Sequence, residues 1–116
     1  MPQDLIASLE ALLAKGQDAP SLRFALASRY LAMGDPVAAL RHAEAAVALD
    51  AGYSAGWKVL GQARAAAGDE RGAIDGFKRG IEVADARGDR QAAKEMTVFL
   101  KRLEKRPLGA TPKGGA

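Results

Sequence analysis

The chain of 116 residues contains no cysteine, which removes disulfides, thiolate zinc sites and cysteine nucleophiles together. Aromatic residues are only 5% of it, so the 48% hydrophobic content rests largely on alanine. Alanine gives up no side-chain entropy in a helix and lets neighbouring helices approach closely, so the composition predicts an all-α fold without strands. No apolar run nears the length that spans a bilayer, and the start Met1-Pro2-Gln3-Asp4 has no basic segment of the secretory type. A soluble, cytoplasmic, single-domain protein is expected.

There is one histidine, His42. A metal site there would need carboxylates alone beside it, so His42 is expected to be structural or simply exposed, and neither metal nor cofactor is expected. Paired carboxylates, a phosphate loop following a strand and a Ser/His/Asp arrangement are missing too. Asp69 and Glu70 look like an acid pair, but a helix cap and a first-turn residue account for both. These absences predict a protein that is not an enzyme.

The formal charge of +3 is unevenly spread. Residues 1–50 hold four Lys/Arg and six Asp/Glu, residues 51–100 eight and seven, and residues 101–116 five and one, giving −2, +1 and +4. The excess lies at one end and is expected to be a solvated face.

What the chain does have is a period. Leu26, Ala27, Gly34-Asp35 and Ala39 return 34 positions later as Leu60, Gly61, Gly68-Asp69 and Ala73. A fixed period of this size marks stacked helical hairpins. Helices are expected from about Asp4 to Lys15, Pro20 to Met33, Pro36 to Leu49, Ser54 to about Gly68, after Asp69 for the fifth, and Asp89 to Lys105. Gly34, Gly68 and Gly88 stop helices and the Asp after each caps the next, while Pro20 and Pro36 occupy first turns where no N–H is needed. Leu5, Leu9 and Leu12, widened by Ile6 and Leu13, form the expected apolar face of the first helix. The fifth is expected to bury Ala73, Phe77, Gly80, Ile81 and Ala84, with Gly72 and Gly76 tolerated at exposed positions. The sixth carries Ala92, Met96, Phe99 and Leu103 as one stripe. Gly88-Asp89 follows Gly68-Asp69 by 20 positions, which breaks the register there. Pro107 to Ala116 is expected to be disordered.

The motif Trp57-x-x-Leu60-Gly61-x-x-Arg64, followed by Ala73-x-x-x-Phe77, resembles the tetratricopeptide repeat. Arg64 stands where that family has Tyr, and Asp85 where it has its closing Pro. The upstream copy keeps Leu26, Tyr30 and Ala39. The resemblance implies a right-handed superhelix of six antiparallel helices within residues 1–106: a half-repeat helix at about 4–15, repeats at 20–53 and 54–87, and a capping helix at 89–105. It also implies that the first helix of each repeat lines a concave groove holding a peptide or a partner protein. Carried position by position, the groove residues are Phe24, Ser28 and Leu31, then Lys58, Gln62 and Ala65. Some family members clamp a terminal carboxylate with Lys and Asn four residues apart, the spacing of Lys58 and Gln62, but Phe24 and Ser28 do not repeat it.

Trp57 takes the family's packing position and is expected in the core. Phe24 is either a groove contact or buried under the first helix. The primary reading is a scaffold for a peptide or protein partner, as a monomer or weak homodimer. The alternatives are a self-associating or assembly-docking subunit, and a binder of anionic lipid or nucleic acid through the basic last helix. Glu95 and Glu104 interrupt that helix's positive field and stacking aromatics are scarce, which argues against nucleic acid.

Overall fold

The computed structural model describes residues 2–106, with side chains from Leu5 onward; the tail expected to be disordered lies outside the described residues. Among those residues there are six helices and no strand: α1 (Pro2–Ala14), α2 (Pro20–Ala32), α3 (Pro36–Leu49), α4 (Ser54–Ala66), α5 (Glu70–Arg87) and α6 (Arg90–Glu104). The smallest dimension, 22 Å, is two helix diameters, as expected for paired layers.

Three connections are built from the same two residues. Gly34, Gly68 and Gly88 adopt positive φ values of 79°, 89° and 74°, conformations that a Cβ would strain. The Asp after each accepts a backbone N–H of the next helix, from Ala38 at 3.1 Å, Gly72 at 2.9 Å and Ala92 at 3.1 Å. The repeated dipeptide therefore sets the hairpin turns.

Each helix packs on the next, and α2 also touches α4 as α4 touches α6. One core cluster joins α2, α3 and α4 through Ala27, Ala43, Val59 and Leu60. A second joins α5 and α6 through Ala73, Ile74, Phe77, Ala84, Ala92, Met96 and Leu103. Trp57 packs against both. Its Nε1–H donates to the Ala51 carbonyl at 2.8 Å and the Arg79 guanidinium lies 6.0 Å from its ring. It is the joint between the clusters, with part of its ring still exposed.

Several expectations are corrected by this packing. On α1 the buried residue is Ile6, 9% exposed, while Leu5 and Leu12 turn outward at 37% and 38%. No helix precedes α1 among the described residues, and these leave the face that Leu5 and Leu12 share partly exposed. Gly76 is buried rather than exposed: a Cβ there would lie 3.6 Å from the Gly61 Cα. A Cβ on Gly61 would come within 2.5 Å of the Phe77 ring, so α4 approaches α5 closely because Gly61 leaves room for Phe77 and Gly76 adds no side chain beside it. Gly72 is half-buried, and its carbonyl accepts a bond from Arg64 Nη1 at 3.0 Å.

The register break also has a cause. Helix α5 has 18 residues against 14 in α3, four more, while the connection to the next helix shortens from residues 50–53 to residues 88–89, two fewer. The helix starts Pro20, Ser54 and Arg90 are thus 34 and then 36 apart.

Candidate functional site

The six residues expected to line a groove lie on α2 and α4, two helices in contact, and each is half-buried. Phe24 packs on the cluster that joins α2, α3 and α4, and its ring meets Tyr53, the cap of α4, edge-on with centroids 6.1 Å apart at 86°. Leu31 leans on the same cluster and Ala65 on the α5–α6 cluster. Ser28 and Gln62 lie between them in helical register. Lys58 Nζ is tied to α6, donating to Glu95 Oε1 at 2.8 Å. That bond holds the Glu95 carboxyl below the usual range, with Gln91 assisting.

A third helix belongs to this surface, and the sequence reading left it out. Counting 36 from Lys58, Gln62 and Ala65 leads to Lys94, Val98 and Lys101 on α6. Val98 is 49% exposed and both lysines are exposed. Arg90, Gln91, Lys94 and Glu95 line an open depression beside the Lys58 ion pair. The start of α4 is pinned to the cap of α6, because Ser54 Oγ donates to Asp89 Oδ2 at 2.8 Å. The Asp89 carboxyl is lowered by its bond from the Ala92 N–H and then by Ser54. The signal for this helix was present in the sequence: aligning it by its cap, rather than by the 34-residue period, gives the offset.

A polar cluster sits on the other side of α2, and only His42 in it had been singled out. His42 is buried, 2% exposed, and stacks on Tyr30 with centroids 5.5 Å apart. Arg23 Nη1 lies 3.0 Å from its Nδ1. A guanidinium can only donate, so Nδ1 is the acceptor and the ring is neutral with its proton on Nε2. That nitrogen is 3.4 Å from Glu10 Oε2 but makes no hydrogen bond. The same carboxylate oxygen accepts the Tyr30 hydroxyl at 2.7 Å, joining α1 to α2. Arg23 also forks onto Asp18 at 2.8 and 3.0 Å.

Titration follows from these contacts. Burial pushes the His42 imidazole below its ordinary value, Glu10 opposes this, and Arg23 adds to it. The bond from Arg23 holds Asp18 low, and the bond to Glu10 raises the Tyr30 phenol. Apart from His42 Nε2, which faces Glu10 without a hydrogen bond, the groups of the cluster have structural partners, and the Tyr30–Glu10 bond makes it a clasp for α1. Among the described residues no three His, Cys, Asp or Glu side chains are grouped to hold a metal ion, and no helix is long and apolar enough to cross a membrane.

No protein-family model matches the chain. It is 50% identical over 101 residues to a TPR repeat-containing protein of Pseudomonas aeruginosa, covering 87% of this chain and 96% of that protein. It is 31% identical over 86 residues to the heat-shock protein cognate co-chaperone sgt12 of Aspergillus fumigatus, covering 74% of this chain and 25% of that longer protein. The solution structure of a Bordetella parapertussis protein superposes with a TM-score of 0.75 at 42% identity, over 86% of this chain and 87% of that one. The Sgt2 TPR domain of Aspergillus fumigatus shares the fold at 21% identity, with a TM-score of 0.60 over 99% of this chain and 90% of that one. With half of its residues shared along nearly the whole of a TPR repeat-containing relative, the chain belongs to the tetratricopeptide-repeat proteins, whose domains generally serve as protein-interaction modules and are typically non-catalytic.

Proposed function

We propose that this protein is a non-catalytic cytoplasmic scaffold that holds an extended peptide segment of a partner protein across α2, α4 and α6. In this reading residues 20–53 and 54–87 are the two whole repeats, flanked by a half-repeat helix and a capping helix. Phe24, Ser28, Leu31, Lys58, Gln62 and Ala65 make the contacts on the first two of these helices, and Lys94, Val98 and Lys101 extend them onto the third.

The observation that carries the proposal is the Lys58–Glu95 pair, 2.8 Å long and partly exposed. It holds a cation at the centre of the three helices, and an acidic group on a ligand can compete for it at small cost because exposed pairs are worth little. Apolar side chains on one side and lysines on the other fit a segment with an acidic group next to an aliphatic or aromatic residue. The co-chaperone relative adds support for a protein as the ligand.

Affinity capture from native extract tests this. The intact chain is expected to retain a partner that the double variant Lys58→Glu, Leu31→Asp releases, with helicity unchanged. Equal capture by a folded double variant would remove the groove assignment.

A further inference from the structure

Among the described residues α1 has no helix before it and α6 has none after it, and the halves these two ends lack are complementary. Helix α1 is a second helix without a first. Its start at Pro2 precedes Pro36 of α3 by 34 positions, and it packs on α2 as α3 packs on α4. Positions Ala39 and Ala46 of α3 are fully buried, and their counterparts on α1 are Leu5 and Leu12, 37% and 38% exposed. At the Ala46 position one repeat later, Gly80 sits between Trp57 of the preceding helix and Met96 of the following one. Among the described residues α1 has no preceding helix.

Helix α6 is the reverse case. It packs on α5 and touches α4 as α4 packs on α3 and touches α2, so among the described residues it stands as a first helix without a second. The 36-residue offset places Ala93 where α4 has Trp57 and Thr97 where α4 has Gly61.

We infer that a second copy of this chain completes both halves, α6 of one copy pairing with α1 of the next to form a composite repeat. Volume supports the pairing. In the α4–α5 hairpin a Cβ on Gly80 would meet the Trp57 Cβ at 2.7 Å, and one on Gly61 would meet the Phe77 ring, so each large residue faces a glycine. The same register sets Ala93 opposite Leu12 and Thr97 opposite Leu9 in the composite repeat. Again a small residue faces a larger one, with the bulk now on the second helix at both levels.

Charge selects this mode over others. Residues 1–19 carry Asp4, Glu10 and Asp18 against Lys15, a balance of −2. Residues 89–106 carry six Lys/Arg (Arg90, Lys94, Lys101, Arg102, Lys105, Arg106) against three acids (Asp89, Glu95, Glu104), a balance of +3. Opposite signs favour head-to-tail contact, and like ends repel. A head-to-tail contact that continues the superhelix is heterologous and leaves a free end on each added copy, so assembly grows with concentration rather than stopping at a dimer. This inference does not rest on the groove reading, since neither Leu5 nor Leu12 belongs to it.

The test uses sedimentation of the full chain from micromolar to millimolar concentration. The wild type is expected to grow without a limiting species. Leu5→Asp with Leu12→Asp, both at exposed positions, should stay monomeric and fully helical. Added to a fixed amount of wild type, this variant should shorten the assemblies, because its intact α6 end still docks and then terminates the row. Thr97→Arg blocks the other end, and a mixture of the two blocked variants should give one-to-one heterodimers and nothing larger. A wild type that remains monomeric throughout overturns the inference, whether the chain's own tail or an unrelated helix covers α1. A wild-type dimer that stops growing also overturns it, as does a terminator variant without effect on wild-type size. The terminator experiment alone decides the matter if Thr97→Arg loses helicity.

Discussion

The α2–α3 and α4–α5 hairpins share a register and a pair of turns, yet they are held together differently. Where the second sets Gly61 against Phe77, the first sets Ala27 against Ala43. Where the second has Arg64 beside Gly76, its Nη1 bonded to the Gly72 carbonyl, the first has Tyr30 stacked on buried His42. Where the second has Trp57 joining two core clusters, the first has Arg23 forked onto Asp18 and reaching His42. One hairpin is closed by a polar network that α1 completes through Glu10, the other by aromatic packing that α6 completes through Met96 and Phe99. Each hairpin is thus matched to its terminal neighbour as well as to a shared motif.

The largest expected effect breaks the aromatic side of that comparison. Phe77 is 1% exposed and stacks on Phe99 with centroids 5.4 Å apart. Phe77→Ala should destabilise the protein by about 3–5 kcal/mol, read by chemical denaturation. Gly61→Ala alone drives a methyl into the ring and should cost about 1–3 kcal/mol. Combining the two recreates the Ala–Ala pair of the first hairpin. The added methyl then fills part of the cavity, so the double variant should be less destabilised than the sum, with a coupling of about 0.5–3 kcal/mol. Simple additivity would mean that the two positions do not compete for the same space.

A smaller effect is expected in the polar hairpin, and it is local. Tyr30→Phe removes the 2.7 Å bond to Glu10 and should cost about 1.5 kcal/mol, near the low end for a bond to a charged group. Hydrogen exchange should show the loss in α1 and its contacts with α2, leaving α5 and α6 protected. Uniform loss of protection would show that α1 unfolds only with the whole array.

The same hairpin should respond to pH just below neutrality, whereas the shifted groups facing the other, Asp89 and Glu95, are carboxyls that act only in stronger acid. His42 is buried neutral with its proton affinity depressed, facing Glu10, Arg23 and Arg41. Below the ordinary value of 6.5 the unfolded chain binds more protons than the folded one, so stability rises with pH through that window. Acidifying from neutral should therefore weaken the α1–α3 end, and the loss should be complete below the depressed value. Asp18 acts in stronger acid: its contribution is present above 3.8 and is lost as pH falls through its own lowered value. His42→Gln, which keeps an acceptor for Arg23 and cannot titrate, should flatten the first slope and leave the second.

How much of this was legible in the residues follows from range. The Gly-Asp pairs, the prolines at helix starts and the 34-residue period act within one turn or one hairpin, so six helices, their order and the packing role of Phe77 and Gly80 could be read directly. The clasp around His42 joins residues 10, 18, 23, 30 and 42 from three helices and a loop, and no local spacing announces it. The exposure of Leu5 and Leu12 depends on which described helices pack against α1, which a helical stripe cannot express. Gly76 has no side chain of its own to mark which face of α5 it lies on. Its burial comes from the close approach of Gly61 on another helix.

The finest test concerns the ligand-facing side, where α2 offers Phe24 at the position that α4 gives to Lys58. The Lys58–Glu95 pair is partly exposed and should contribute little to stability, so Glu95→Gln should barely move the unfolding midpoint. Its effect should appear in binding instead. Releasing Lys58 from its internal carboxylate leaves the cation for the ligand, so capture of an acidic segment should strengthen a few-fold and weaken more steeply with salt than for the wild type. Phe24→Ala should lower capture without altering that salt slope, because it removes apolar contact and no charge. If Glu95→Gln leaves both capture and salt dependence unchanged, Lys58 is an internal strut between α4 and α6, and the contact surface lies with Phe24 and Leu31.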